Sequence, residues 1–169
     1  MSGFAPKKTD ATDSFFRAFC MDAKVKAGRY EVVGFGDSEA MADELLELVI
    51  LGVKRATASL VRDFGDGKEP LPKVGDYAVV VDGRNKPRCV WRTTDIRIGP
   101  LNSVDERFAF DEGEGDRTRA WWLRDHTAYF TRQAEREGFA MSDDIATVFE
   151  RFTIVWPRLM ADGPKRLTL

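Results

Sequence analysis

The segment GVKRATASL, residues 52–60, brings an amine and two hydroxyl groups close together in the chain, since Lys54 is followed by Thr57 and Ser59. A lysine acts as a base or nucleophile when burial lowers its pKa, and otherwise as a cation that holds a phosphate or a developing oxyanion. A lone lysine is more often an exposed charge. In a regular strand Thr57 and Ser59 share one face, so a bend after Lys54 is needed to unite the three groups.

The segment FDEGEGDR, residues 110–117, is a second candidate because it holds the carboxylates of Asp111, Glu112, Glu114 and Asp116. Carboxylates at this density act as a general acid or base, bind Mg²⁺ or Mn²⁺, or cap the positive end of a following helix. We expect Asp116 to cap the helix that begins at RTRAWW. Glu112 is then left for chemistry.

Aromatic side chains follow at once, with Trp121, Trp122, Tyr129 and Phe130 in the same predicted helix. Core packing is the default role of such residues. An aromatic ring beside the basic residues of 117–124 can also stack on a nucleic-acid base.

Two further polar residues interrupt apolar segments. Arg92 lies within the predicted strand CVWRTTDI, where a charge indicates either a lined cavity or a sheet edge. His126 is the single histidine of the chain, and no second motif supports a zinc site or a catalytic triad around it. We therefore expect His126 to have a structural or hydrogen-bonding role.

Apolar spacing and turn residues predict the elements that position these groups. A first helix within residues 12–28 has Phe15, Phe19 and Ala23 on one face and ends near Gly28. The segment YEVVGFG is extended.

A second helix follows, capped by Asp37 or Ser38 and ended by Gly52. The apolar residues expected on its buried face are Met41, Leu45, Leu48 and Leu51.

The next segment predicts a strand after Lys54, with a short helix in ATASLV as the alternative. An irregular loop follows, and then a hairpin formed by YAVVVDG and RCVWRTTDIRI. A helical region broken at DEGEGD and a closing strand in DIATVFERFTIVW complete the chain. Helices that flank antiparallel strands indicate an α+β domain.

Composition narrows the function classes. The 169 residues suit one domain, and a net charge of −2 argues against broad electrostatic capture of duplex nucleic acid. The two cysteines form no disulfide framework or zinc motif. Neither a signal peptide nor an apolar run long enough for a bilayer is evident, so we expect a cytoplasmic protein without membrane contact.

Taken in order, the segments GVKRATASL, PLPKVGDYAVVVDG, CVWRTTDIRI, VDERFAFDEGEGDRTRAWWLRDHTAYF and FERFTIVW resemble the ASCH domain family. The resemblance implies a small PUA-like β-barrel of mostly antiparallel strands with flanking helices. It divides the chain into an N-terminal helical extension at 1–30, an ASCH domain at 31–157 and a C-terminal tail at 158–169.

Small bacterial relatives in this family are amidohydrolases of N4-acylated cytidine that use a lysine, a threonine and a glutamate. The resemblance carries these roles to Lys54, Thr57 and Glu112, with Glu114 as the alternative glutamate. Thr57 would attack the acyl group, Lys54 would activate it or stabilise charge, and Glu112 would move the proton to the leaving amine. Expected substrate contacts come from Ser59, Arg92, Glu114, Arg117, Trp121 and Thr131.

Other relatives resemble metal-assisted ribonucleases, and the fold often binds RNA. Three functions therefore stay open. The first is an amidohydrolase that acts on a modified nucleoside and needs no certain cofactor. The second is a ribonuclease that cuts single-stranded RNA with Mn²⁺ or Mg²⁺ and the Thr131 hydroxyl. The third is a non-catalytic RNA-binding module. The near-neutral charge favours a small ligand.

Overall fold

A five-stranded sheet forms the centre of the computed structural model, which describes residues 4–163. Along the chain the elements are α1 (Asp10–Ala23), β1 (Glu31–Val33), α2 (Glu39–Ile50), β2 (Ala56–Leu60), β3 (Tyr77–Val81), β4 (Pro87–Pro100), α3 (Glu106–Glu112), α4 (Arg119–Glu137) and β5 (Ala146–Trp156). The strand order is β1-β3-β4-β5-β2. Within residues 4–163 the β1–β3 pair is parallel and the other three pairs are antiparallel, so the sheet is mixed. It forms a half-barrel with β1 and β2 at its edges.

Both faces of the sheet are covered. Val79 packs in a cluster with Phe16 and Phe19 of α1, whereas its neighbour Val80 packs with Leu46 of α2. A strand buried on both faces is apolar at successive positions, which explains the run YAVVV. A third apolar cluster joins α3 and α4 to β2 and β5. The predicted α+β class is confirmed.

The first helix differs from the prediction in its buried face and its end. Phe16 and Phe19 are buried, whereas Ala23 is exposed and Phe15 is half-buried. The helix ends before Gly28 because Lys24 adopts a left-handed conformation, with φ 55°. A non-glycine residue rarely adopts this conformation, so the sequence carries no signal for it.

The second helix has the predicted ends but a rotated face. The Ser38 side chain accepts a hydrogen bond from the Met41 N–H, and Gly52 is left-handed with φ 79°. The buried residues are Ala42, Leu46 and Val49. The predicted stripe lies beside them, and its last member, Leu51, is 66% exposed. Apolar residues are so frequent in this helix that spacing alone does not identify the centre of the stripe.

The hairpin and the closing strand form as predicted, with β4 between β3 and β5. The cap of α4 is Thr118, whose side chain accepts from the Trp121 N–H. Asp116, the predicted cap, instead accepts from the backbone N–H and the hydroxyl of Thr118. The carboxylate therefore supports the cap from two residues away.

The chain ends remain close to the sheet where they are described. Arg55 donates to Asp162 over 2.9 Å, which ties the segment after β5 to the start of β2. Residues 164–169 of the predicted C-terminal tail lie outside the described residues. Within residues 4–163, every helix is too short or too polar to cross a membrane.

Candidate functional site

A cavity of about 240 Å³ lies inside the half-barrel, with walls from both edge strands, the loop that follows β2, and α4. This volume lies just below the roughly 300–1,000 Å³ of typical ligand pockets, so the cavity is limited to a small molecule. Phe64, Tyr77 and Tyr129 line it with partly exposed rings. Such rings can stack on a planar ligand.

Lys54, Thr57 and Ser59 all line this cavity. The bend that unites them is the exit from α2, where the N–H groups of Val53 and Lys54 both donate to the Leu48 carbonyl. The strand β2 begins only at Ala56, so Lys54 lies outside the strand alternation. The turn therefore lies at the exit from α2, before Lys54, rather than after Lys54 as predicted.

The Lys54 ammonium group is buried, with 1% of the residue exposed. Its Nζ donates to Glu114 Oε1 over 2.8 Å and lies 3.9 Å from Glu112 Oε2. Burial alone would lower the pKa of Lys54, but the charges of Glu112 and Glu114 outweigh it and raise the pKa above its ordinary value. Lys54 is therefore a fixed cation, and it is poorly suited to act as a neutral base.

Glu112 is held by groups from α4. Its Oε2 accepts from Trp122 Nε1 over 2.8 Å and lies 3.0 Å from His126 Nε2. The other ring nitrogen of His126 lies 3.0 Å from the Trp122 carbonyl oxygen. Since both ring nitrogens face acceptors, the geometry favours the doubly protonated imidazolium.

The pKa directions agree with this geometry. Burial would raise the pKa of Glu112, but His126 and Lys54 outweigh it and lower the value. Burial would lower the pKa of His126, but the Glu112 carboxylate outweighs it and raises the value. The role of His126 is thus the hydrogen-bonding one that the sequence indicated.

The two glycines of EGEG explain how both glutamates reach Lys54. Gly113 ends α3 in a left-handed conformation, with φ 74°. A Cβ at Gly113 would lie 2.6 Å from the Val53 carbonyl oxygen, and one at Gly115 would lie 2.1 Å from the Trp121 ring. The close approach of Gly113 to the residue before Lys54 places Glu112 and Glu114 on either side of the contact.

A further carboxylate, Glu150 of β5, lines the cavity beside Thr57. The two residues are direct cross-strand partners, so their side chains project from the same face of the sheet. Thr93 Oγ1 donates to Glu150 Oε1 over 2.6 Å. Burial raises the pKa of Glu150 to about 7, and the Thr93 hydrogen bond opposes this only in part.

Sequence reasoning missed Glu150 and Thr93. The weak signal is the glutamate at the centre of VFERF, between positions that are otherwise apolar. Arg151 is also polar, so the sequence does not show which of the two faces inward. The pairing of β5 with β2 determines that Glu150 is the residue that faces the cavity.

The lining carries an excess of negative charge. Its acidic residues are Glu31, Glu69, Asp76, Glu112, Glu114, Asp125 and Glu150. Within residues 4–163, Lys54 and His126 are the basic residues that line the cavity, and no arginine does. This potential opposes a phosphate group and tolerates a neutral or cationic ligand.

Four of the predicted substrate contacts do not line this cavity. Arg92 is exposed because it alternates with the buried residues Trp91 and Thr93. Arg117 donates to the Phe110 carbonyl and stacks on the Phe110 ring. Trp121 packs over Gly115, and Thr131 donates to the Thr127 carbonyl within α4.

The side chains of Glu112, Glu114 and His126 could each offer one ligand atom to a metal ion, all within 4.8 Å of one another. The Lys54 ammonium group already lies against Glu114 and near Glu112. A divalent ion and a charged lysine repel each other at such a distance. These residues therefore do not fit a resident Mg²⁺ or Mn²⁺ while Lys54 is protonated.

Comparison with known proteins identifies relatives of the whole domain. The family model described as the ASCH domain matches residues 31–156. No curated protein sequence matches the chain. The structure of protein EF3133 from Enterococcus faecalis V583, of family DUF984, aligns with a TM-score of 0.76 and 30% identity over 86% of this chain and 92% of that one.

An ASCH domain structure from Lactobacillus crispatus JV V101 aligns with a TM-score of 0.77 and 27% identity, over 89% of this chain and 98% of that one. These similarities confirm the predicted PUA-like architecture, here in the form of a half-barrel.

Proposed function

The chain belongs to the ASCH domain family, and from this premise we propose that its cavity binds an N4-acylated cytidine-type nucleoside and hydrolyses the acyl amide bond. The observation that carries the proposal is the Lys54 ammonium group, which Glu114 holds in the same acidic cavity that Thr57 lines. Acyl transfer combines a nucleophile with a positive or hydrogen-bonding group that stabilises the developing oxyanion.

In this proposal Lys54 stabilises the charge that develops on the amide oxygen. Its Nζ has three N–H donors, and Glu114 accepts one of them. An N–H directed at the carbonyl oxygen would strengthen as that oxygen becomes negative. Glu112 and Glu114 keep the ammonium charged and in place, and His126 keeps Glu112 ionised.

Thr57 then supplies the attacking oxygen. The hydroxyl forms a bond to the acyl carbon, the carbon–nitrogen bond breaks, and the free exocyclic amine leaves. Water cleaves the resulting threonine ester and releases the carboxylic acid. Tyr77 and Tyr129 offer ring surfaces against which the pyrimidine can stack.

The acidic lining supports a nucleoside over RNA. RNA-binding grooves follow the phosphate backbone with basic side chains, and among residues 4–163 the cavity presents Lys54 and His126 against seven acidic residues. Lys54 also lies between the carboxylates that a metal-assisted ribonuclease would need. The experiment must therefore distinguish nucleoside hydrolysis from RNA cleavage and from RNA binding without catalysis.

The test is to incubate the purified protein with N4-acetylcytidine, with its 5′-monophosphate, and with labelled single-stranded RNA, each with and without Mn²⁺. We expect metal-independent release of cytidine, and slower turnover of the monophosphate because of the acidic lining. Thr57→Val should abolish turnover, whereas Thr57→Ser keeps a hydroxyl and should retain part of it. Cleavage of RNA that depends on Mn²⁺, or binding of RNA without any product, contradicts the proposal.

A further inference from the structure

We propose that Glu150 is the catalytic acid and base of this cavity, exchanging a proton with the Thr57 hydroxyl and then with the leaving amine. This inference rests on the proposed amide hydrolysis. It assigns to a residue of β5 the proton transfer that the family resemblance assigns to Glu112.

Two other charged groups that line the cavity with Thr57 already have hydrogen-bond or ion-pair partners. Lys54 is a cation held by Glu114 over 2.8 Å, so it has no lone pair to accept a proton. Glu112 Oε2 faces two donors, Trp122 Nε1 and His126 Nε2. A carboxylate with that many partners is a weak base.

Glu150 has fewer partners than Lys54 and Glu112. The structure records one hydrogen bond to its side chain, from Thr93 to Oε1, and Oε2 accepts none from the described residues. No salt bridge to Glu150 is present within residues 4–163. Arg151, the next residue, projects from the opposite side of β5 and pairs with Asp111 over 3.0 Å. One carboxylate oxygen therefore remains for substrate and nucleophile.

Strand pairing places Glu150 next to Thr57 on one face of the sheet. Glu150 and Thr57 are direct partners across β5 and β2, and the Cβ atoms of such partners lie roughly 4.5–5.5 Å apart. Thr93 approaches from β4, where the register shifts between Thr93 and Asp95. The Thr93 hydroxyl donates to Oε1 of Glu150 and so holds that oxygen.

The electrostatic surroundings suit a group that must both take and give a proton. Burial raises the pKa of Glu150 to about 7, and the negative charge of Asp76, the residue before β3, adds to this shift. The other titratable residues that line the cavity are Glu31, Lys54, Glu69, Tyr77, Glu112, Glu114, Asp125, His126 and Tyr129. A catalytic carboxyl works best when its pKa is near the working pH.

The proton balance is simple. Glu150 as carboxylate takes the hydroxyl proton of Thr57 while the threonine oxygen bonds to the acyl carbon. When the carbon–nitrogen bond breaks, Glu150 gives that proton to the leaving nitrogen and is a carboxylate again. In the second half Glu150 takes a proton from the attacking water and returns it to the Thr57 oxygen as the ester bond breaks.

The experiment compares Glu150→Gln, Thr93→Val and the surface control Glu135→Gln with the unmodified protein across pH, with N4-acetylcytidine as substrate. Loss of a catalytic acid or base lowers kcat by roughly 10²–10⁴-fold, and we expect this for Glu150→Gln together with loss of the rate increase near pH 7. Thr93→Val removes a hydrogen bond that lowers the Glu150 pKa, so the rate increase should move to higher pH. Circular dichroism checks that each variant is folded.

The outcomes separate the two proposals. Turnover by the unmodified protein, with Glu150→Gln within a few-fold and the same pH profile, overturns the role of Glu150 and leaves the proposed function standing. Absence of turnover by the unmodified protein at every pH overturns both. A kcat loss in Glu150→Gln without any change in KM, together with the shifted profile of Thr93→Val, supports the inference.

Discussion

His126 Nε2 lies 3.0 Å from Glu112 Oε2, and the histidine ring stacks on Trp122 with a centroid distance of 3.8 Å. His126 and Glu112 both line the cavity, and the same Glu112 oxygen lies 3.9 Å from Lys54 Nζ. Because both partners are buried, their protonation states are linked to the folded state.

The pair should make stability depend on pH in a defined direction. The pKa of His126 is raised on folding, so its contribution is complete below the ordinary value of about 6.5 and is lost as pH rises through the raised value. The pKa of Glu112 is lowered, so its contribution is lost only in acid. We expect the difference in unfolding free energy between the unmodified protein and His126→Gln to shrink as pH rises above about 6.5. Urea unfolding measures it, and a difference that stays constant contradicts the pairing.

Glu150 should destabilise the protein on the alkaline side. Folding raises the pKa of this carboxyl from 4.5 to about 7, so its ionisation is less favourable in the folded protein than in the unfolded chain. The loss of stability therefore appears as pH rises from 4.5 through about 7. That shift corresponds to at most about 3 kcal/mol. Glu150→Gln should therefore raise the melting temperature at about pH 9 and leave it nearly unchanged at about pH 5. Equal melting temperatures of the two proteins at alkaline pH would show that Glu150 is not buried as described.

Lys54→Ala should create a metal site. Without the ammonium group, Glu112, Glu114 and His126 keep ligand atoms within 4.8 Å of one another and lose the cation that balances them. Carboxylate and imidazole groups bind Zn²⁺ and Mn²⁺. We expect Zn²⁺ to raise the melting temperature of Lys54→Ala but not that of the unmodified protein. The double variant Lys54→Ala with Glu114→Ala is the control and should lose the response.

Gly113→Ala should damage the site more than Gly138→Ala. Both glycines are left-handed, with φ values of 74° and 73°, but a Cβ at Gly138 meets nothing within 4 Å. The left-handed conformation costs a non-glycine residue about 1–2 kcal/mol, and Gly113→Ala adds a contact of 2.6 Å with the Val53 carbonyl oxygen. We expect a larger loss of stability in Gly113→Ala, with lower turnover because Glu112 and Glu114 shift away from Lys54. Equal unfolding midpoints for the two variants would contradict this.

The rotated face of α2 can be tested with two leucines. Leu46 is 2% exposed and Leu51 is 66% exposed. Truncation of a buried leucine costs about 2–5 kcal/mol, whereas a surface change stays within about 0.5 kcal/mol. Leu46→Ala should therefore lower the unfolding free energy far more than Leu51→Ala. Equal losses would restore the face predicted from the sequence.

Local signals in the sequence predicted the ends of α2, since Ser38 and Gly52 act through their own backbone chemistry. The buried face was missed by one position because Met41, Leu45 and Leu48 are also apolar and half-buried. For α1 the end was missed because the left-handed residue is Lys24.

The site was partly predictable for a different reason. Lys54 and Thr57 are close in sequence, so their relative position depends on the turn after α2 and on where β2 begins. Glu112 meets His126, and Thr57 meets Glu150, only through tertiary packing of α4 and strand pairing of β5. A single sequence does not specify which residues such packing brings together.

The strand order also sets a sequence of events during synthesis. The edge strand β2 is made early, yet its sheet partner in residues 4–163 is β5, the last strand. During synthesis Thr57 therefore lacks its cross-strand neighbour until β5, which ends at residue 156, has left the ribosome. The nascent chain can complete the β1-β3-β4 ribbon first, and any catalytic pocket then appears in a single late step.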